Sequence, residues 1–456
     1  MRIAVIGGIA SGPAAAAEAA RQSDTEVVLF EEGEHVSVGA CEIPYFVGDR
    51  LGAGADLIAH TAGELERTRG FRVFTRHRVT AIEPRSGRLS VTSLVHRASR
   101  EESFDRFILA TGAQARRLGI DGETAAGVFS LRDLADANRL RGWLRTEPVR
   151  HVVVVGGGYV GLELAEAMRD RGLRATILDP SGRVLASSLH GAVSGQMNKA
   201  VREAGVAVRA EQAVEILTEA DGRVHAVRTE RGERIGCQAV LVAIGVEPRT
   251  DLAEAAGVAL GSTGAIATDA EMRTNVRGVW ACGDVAETFR VLDGAPIHWP
   301  LAPVGRRTGR VAARNAASQT GASDSFRGVT PSVAVRAFGV EAACVGLREE
   351  EAREAGFDAF AVQVRHRTRT RAYPGSQPID IRLIVERDRG RLLGGQLVAR
   401  EGAALRADVL VPLIRSGATA RELAEEMDLV YNPPIAPAVD PLIIAASAAL
   451  RELGVR

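Results

Sequence analysis

Apolar and polar positions along the chain fall into a pattern that occurs twice. Residues 2–6, "RIAVI", form a short apolar run that ends on glycines, followed by a small-residue stretch, "SGPAAAAEAARQ", and a second apolar run, "EVVLF", closed by Glu31. Residues 151–182, "HVVVVGGGYVGLELAEAMRDRGLRATILDPSG", repeat the layout, with Asp179 closing the second run. Continuous apolar runs of four or five residues between turn signals read as strands buried on both faces, and the Ala-, Glu- and Arg-rich segments between them read as helices. Two later runs, "FDRFILATGA" at 105–114 and "CQAVLVAIGVEP" at 237–248, each predict a buried strand ending in a glycine turn. The economical reading is a duplicated βαβ unit in an α/β protein, each copy with its own closing strand.

The glycines give each copy a chemical purpose. Gly156, Gly158 and Gly161 form a full GxGxxG after a strand. The first permits a tight turn, the second lets backbone approach a pyrophosphate, and the third lets helix pack on strand. The anion then sits on the helix N-terminus, where free N–H groups and the dipole favour it. Asp179, 23 residues after Gly156, is placed to accept hydrogen bonds from a ribose diol. No arginine directly follows it to hold a 2′-phosphate, so NADH is expected over NADPH. In the first copy Gly7 and Gly12 hold the outer positions, Ile9 stands at the middle one, Gly8 offers the close approach, and Glu31 is the ribose acid. Two Rossmann-like, dinucleotide-binding units are predicted. A further stretch, "GVWACGDVAE" at 278–287, sets Asp284 on a glycine turn, where it can lean on a flavin's polyol chain or cap a helix.

Length and charge narrow the class. A chain of 456 residues is too long for one ordinary core and calls for roughly two to four domains. Lys plus Arg and Asp plus Glu balance at 57 each, so no global field favours nucleic acid or a membrane surface, and neither is expected as a partner. Cys41, Cys237, Cys282 and Cys344 form no CxxC, and the nine histidines show no ligand spacing, so neither disulfide framework nor metal site is indicated. The chain opens straight into an apolar strand without a signal-peptide pattern, and a cytoplasmic protein is expected.

With two dinucleotide units, then "ATGA", "AIGVEP" and "ACGDVAE" in this order, the whole chain resembles the pyridine nucleotide-disulfide oxidoreductases, flavoproteins that bind two dinucleotides. The resemblance implies a discontinuous FAD-binding domain (1–112 and 246–325), an inserted NAD-binding domain (113–245) and a C-terminal α+β dimerisation domain (326–456), so a homodimer is expected. It implies that Gly7, Gly12, Glu31, Thr111, Gly112 and Asp284 hold FAD. Gly156, Gly158, Gly161 and Asp179 would hold NAD, with Tyr159 and Glu163 beside the nicotinamide. "CEIPY" at 41–45 resembles the "CGLPY" of the single-cysteine branch, which contains coenzyme A disulfide reductases, NADH oxidases and peroxidases, and persulfide reductases. The two-cysteine reductases carry a second cysteine where this chain has Phe46, and end in a His–Glu pair, whereas here no histidine follows His366. The oxidases and peroxidases place a histidine where this chain has Ala10. "AYPGS" at 372–376 and "YNPPIAP" at 431–437 resemble segments that supply tyrosines in the coenzyme A disulfide reductases, nominating Tyr373 and Tyr431 as catalytic groups, with Ile435 where a second aromatic usually stands.

A thiolate is the reactive form of cysteine, favoured at a helix N-terminus or near positive charge, and Pro44 suits a first helical turn just after Cys41. One protein sulfur suffices if the substrate, a low-molecular-weight disulfide or persulfide, supplies the second. Glu42 is the discordant neighbour, since an inward carboxylate would raise the thiol's pKa. Arg365, Arg367, Arg369 and Arg371 alternate, so on one strand they would share a face with Tyr373 and could grip phosphates of a coenzyme A disulfide, or protect a sheet edge. The expected activity is FAD-dependent, NADH-driven disulfide or persulfide reduction through Cys41. An oxidase or peroxidase, or a flavoprotein redox sensor or electron carrier, stays open as an alternative.

Overall fold

The structure, a computed structural model, describes residues 1–22, 24–318 and 324–454. The duplication is carried into strand order and register. Arg2–Ile6 is the centre of a five-stranded parallel sheet, flanked by Glu26–Phe30 and then Arg72–Phe74 on one side, and by Arg106–Leu109 and then Val279–Ala281 on the other. His151–Val155 is the centre of a second, flanked by Arg174–Leu178 and Ala207–Arg209, and by Ala239–Val242 and Val128–Ser130. Each sheet is accompanied by a three-stranded antiparallel meander, built from residues 77–103 in the first unit and 213–236 in the second. The central strands are fully buried (Ile3, Ala4 and Val5; Val152, Val153 and Val154), which is why their sequences are apolar without alternation.

The chain leaves the first unit and returns to it through one antiparallel ribbon, Ala113–Ala115 against Val246–Pro248, and then adds Val279–Ala281 as the edge strand of the first sheet. The first layer is therefore built from two separated stretches of sequence.

The C-terminal layer is a five-stranded antiparallel sheet in the order 332–337, 340–346, 392–399, 378–386, 359–367, with helices Ala403–Ser416 and Pro441–Glu452 packed on it. Period-two alternation divides its side chains between two cores. Val340, Ala342 and Val398 join the core of the second parallel unit, whereas Ala343, Val345 and Leu397 pack under the helices. Covered on both faces, Leu392–Ala399 is buried at every position.

The alternating arginines do not share one strand face. The strand Ala359–Arg367 stops before Arg369 because Thr368 is buried and closes a loop, donating from its N–H to the Gln377 carbonyl and accepting from the Gln377 N–H. Arg365 pairs with Asp380 and Arg369 with Glu401, so neither guanidinium is unpaired. Arg371 lies in the turn beyond. The expected single face of four aligned arginines is thereby overturned. No helix among the described residues is long and apolar enough to cross a membrane, and no group of three or more His, Cys, Asp or Glu there could hold a metal ion.

Candidate active site

In parallel sheets, ligands sit beyond the carboxyl ends of the strands. Here those ends open into a cleft of about 1450 Å³. Its floor is glycine backbone. Gly7 has φ +109°, and a Cβ there would stand 2.1 Å from the Ala110 carbonyl oxygen; a Cβ on Gly12 would stand 1.7 Å from that of Gly7. Glu31 lines the cleft with both carboxyl oxygens anchored, accepting from the Gly8 N–H at 2.6 Å and the Gly33 N–H at 2.7 Å, while burial pushes its pKa up. Gly8 differs from expectation. A Cβ on it would meet Val36 and Glu31, so its bareness serves packing against the acid, and no close approach to a ligand is needed to explain it.

Asp284 lies on the 3-10 turn after the edge strand Val279–Ala281, three strands from the one that leads into Glu31. At ordinary strand spacing that separation is about 14 Å. Asp284 accepts from the Arg132 guanidinium at 2.7 Å, and its carbonyl faces His298 Nε2 at 2.7 Å. Thr111 and Gly112 line the cleft between the two acids, the Thr111 hydroxyl donating to the Arg249 carbonyl at 2.8 Å. A cleft of this volume with a glycine floor, a buried acid on one side and an Arg–Asp pair on the other fits a dinucleotide such as FAD.

The second unit repeats the turn. Gly156 has φ +107°, a Cβ on Gly161 would stand 2.0 Å from the Gly156 oxygen, and Asp179 accepts from the Gly157 N–H at 2.9 Å. Gly158, at the N-cap of the helix Tyr159–Asp170, faces open space. Arg183 donates to the Leu189 carbonyl at 2.6 Å, and Asp179 keeps Ser181 as a further partner.

Cys41 opens to the first cleft, on a 3-10 turn (Ala40–Glu42) that runs into the helix Ile43–Val47, with Pro44 in its first turn. Phe46 is buried on that helix. The expected lowering of the thiol's pKa is absent in the chain alone. Desolvation pushes it up, the carboxylates of Glu163 and Asp284 push further, and the single opposing cation is Arg132. Glu42 adds the smallest of these contributions; its carboxyl folds back over Gly39, where a Cβ would lie 1.9 Å from Glu42 Oε2. The other three thiols are far less reactive, since burial pushes Cys237, Cys282 and Cys344 each up to about 12.

Two contributors escaped the sequence reading. Arg132 sits in "SLRDL" without a recognisable pattern. Tyr45 was visible only as the last letter of "CEIPY"; its hydroxyl donates to Glu163 Oε1 at 3.0 Å, across the boundary between the two units. Burial pushes the Glu163 carboxyl up to about 7 and, together with the Glu163 charge, the Tyr45 hydroxyl up to about 12.

Tyr159, Tyr373 and Tyr431 do not line this first cleft. Tyr159 packs in the core between the second unit and the C-terminal sheet, beside Cys344 and Ser188, and burial pushes its hydroxyl well above the usual range. Tyr373 and Tyr431 are exposed on loops of the C-terminal layer, and neither reaches the cleft of its own chain.

Comparison with known proteins agrees with this architecture. Residues 1–320 match the family described as Pyridine nucleotide-disulphide oxidoreductase, and residues 331–442 match its dimerisation domain. The NAD(P)H coenzyme A polysulfide/persulfide reductase of Pyrococcus horikoshii is 33% identical over 446 residues, covering 98% of this chain and 97% of its own. Among solved structures, the NAD-dependent persulfide reductase from A. fulgidus superposes with a TM-score of 0.94 at 32% identity, covering 99% of this chain and 83% of its own. The water-forming NADH oxidase from Lactobacillus brevis, bound to NADH, gives 0.93 at 25% identity, covering 100% and 99%.

Proposed function

Because the chain belongs to the pyridine nucleotide-disulphide oxidoreductase family, we propose that it uses NADH and FAD to reduce a low-molecular-weight disulfide or persulfide through Cys41. The observation that carries this reading is that one sulfur, Cys41, opens to the cleft, while Phe46 occupies the place of a second and the other three thiols are held protonated by burial. The names of the Pyrococcus and A. fulgidus relatives support a persulfide, polysulfide or coenzyme A thiol as the sulfur source.

On this reading residues 1–112 and 246–325 form the FAD-binding domain, and the glycine turn at Gly7 and Gly12, Glu31, Thr111, Gly112 and Asp284 hold FAD. Residues 113–245 form the NAD domain, where Gly156, Gly158, Gly161 and Asp179 hold NADH. Arg183, turned to the Leu189 carbonyl, leaves Asp179 to a ribose diol and favours NADH over NADPH. Bound FAD supplies a two-electron relay from nicotinamide to sulfur. The chain's part is to present the Cys41 thiolate to one substrate sulfur, forming a mixed disulfide as the second sulfur leaves. Arg132 offsets the carboxylates around that thiolate. A cytoplasmic homodimer formed through residues 326–456 would bring Tyr373 and Tyr431 to the partner's cleft as proton donors.

Anaerobic titration with NADH tests the mechanism. The wild type is expected to develop a long-wavelength charge-transfer band, and Cys41→Ser to lose both that band and disulfide turnover by at least about 10³-fold. Full disulfide turnover in Cys41→Ser would refute it. The similarity to an NADH oxidase makes oxygen and peroxide turnover the control, and both are expected to be slow with Ala10 in place of histidine.

A further inference from the structure

A second hollow, of about 510 Å³, lies where the helix Ala302–Ala317 meets the loop 324–330 and the end of the helix Ala403–Ser416. Its charge is one-sided. Arg307, Arg310 and Arg314 reach it from one face of the first helix, joined by Arg327 and Arg415, and the single acid on its wall is Asp324. Asp324 is taken by Arg314, which also holds Glu18 at 2.8 Å. Residues 319–323 carry no acidic side chain. Among the described residues, therefore, no carboxylate pairs with Arg307, Arg310, Arg327 or Arg415.

Arg307 and Arg415 converge on one oxygen. The Gly328 carbonyl accepts from Arg307 at 2.9 Å and from Arg415 at 3.3 Å, and Arg415 also donates to the Arg327 carbonyl at 2.6 Å. Neutral carbonyls orient two like charges without cancelling them. Burial and the Arg415 charge accordingly push the Arg307 guanidinium below its usual range. Arg307 is also held over the Phe326 ring, 4.9 Å from its centre. A guanidinium carries five N–H donors in a fixed fork, so both groups keep donors to spare after these bonds. Thr330 forms part of the same wall, and its buried hydroxyl has no hydrogen-bond partner among the described residues.

We propose that this hollow binds the diphosphate group of a small molecule, gripped between Arg307 and Arg415. The planar fork of arginine matches phosphate oxygens two at a time, and gathered guanidiniums without a counter-charge are stabilised by a multiply charged anion. One phosphate group carries at most about two charges near neutrality, which leaves much of the charge on four arginines unbalanced; two joined phosphates balance more of it. Trp299 and Val411 give the hollow an apolar wall for whatever bears the diphosphate. The site is distinct from the dinucleotide cleft described above, since neither Arg307 nor Arg415 lines that cleft.

The test is calorimetric titration of the flavin-loaded protein with pyrophosphate at constant ionic strength, with NAD saturating so that the glycine turn at Gly156 is not the site being read. The wild type is expected to bind one pyrophosphate per chain, and an Arg307→Gln, Arg415→Gln double variant to bind it at least about 10-fold more weakly. Equal affinity in the two proteins, or no binding to the wild type, overturns the inference. The two arginines also hold the Gly328 loop, so the double variant could fail to fold. In that event Arg415→Lys, which keeps the charge and gives up the fork, should weaken binding about fivefold, and unchanged affinity there overturns the inference instead. ADP as a second probe assigns the source: tighter binding than pyrophosphate, lost in the same variants, identifies a diphosphate ester, and weaker binding the free anion. A double variant that becomes monomeric in light scattering, beside a wild type that binds no pyrophosphate, would assign these arginines to contact with a second copy of the chain.

Discussion

At the scale of single residues, the burial of Glu163 has a consequence for stability. Burial pushes its carboxyl from 4.5 to about 7, so the folded chain binds this proton more tightly than the unfolded one. The stabilising contribution is complete below about 4.5 and is lost as pH rises through about 7, at up to about 1.4 kcal/mol per pH unit for one proton. Denaturant unfolding between those limits should show that slope in the wild type and its loss in Glu163→Gln, which becomes the more stable protein above the window. Equal slopes would mean that Glu163 is solvated in solution. The glycines behave differently because sterics alone decides them: Gly7 and Gly12 stand where any Cβ strikes a carbonyl oxygen, which is why they could be read from spacing. Tyr45 could not be read that way. Its hydrogen bond is to a partner 118 positions away, on the second unit.

At the scale of elements, the short helix Ile43–Val47 that follows Cys41 is too small to hold itself in place. The second unit grips it from two helices. Arg141 donates to the Phe46 carbonyl at 3.0 Å and stacks over the Phe46 ring, Arg171 donates to the Val47 carbonyl, and both pair with Asp49. Arg50 reaches Glu166 and Asp170 on the helix that begins at Gly158. The segment bearing the thiol is thus fastened to the helix whose N-terminus is the proposed dinucleotide site. Arg171→Met removes charge-assisted hydrogen bonds at a half-buried seam and should cost about 1.5–3 kcal/mol. Hydrogen exchange in residues 43–50 should accelerate while exchange in the central strand 2–6 stays unchanged; protection unchanged in 43–50 would show that the grip is not needed. The sequence did place a helix after Cys41, through Pro44, but gave no sign of its clamps, because isolated arginines carry no pattern.

At the scale of the whole molecule, the C-terminal layer presents Val430, Tyr431, Ile435 and Val439 to solvent, with Val430 95% exposed. A cluster of this kind is ordinarily covered, and the chain matches a dimerisation domain over residues 331–442. The loop that carries it is anchored by a buried ion pair, Arg406 to Asp440 at 2.9 Å, and Arg406 also donates to the Thr368 carbonyl at the base of the Tyr373 loop. Both tyrosine loops are therefore fixed from within the layer, facing outward. Light scattering should report a dimer for the wild type and about half that mass for a Val430→Asp, Ile435→Asp double variant, as two carboxylates buried at an interface oppose association. A dimer retained by the double variant would place the interface elsewhere.

The sequence by itself determined the two βαβ units, their glycine turns, the acids Glu31 and Asp179, the family and the one cysteine that opens to the cleft. Each of these follows from short-range rules, in which a turn, a strand and a helix within about thirty residues must satisfy their own sterics and hydrogen bonds. Tertiary structure alone decided what surrounds the sulfur. It brought Glu163 and Asp284 toward Cys41 and raised the thiol's pKa where a lowered one was expected, bound Arg132 to Asp284, buried Tyr159 away from the cleft, and ended the arginine strand at Arg367. Charges act through space, and their distances are set by how whole layers dock, which no local pattern records.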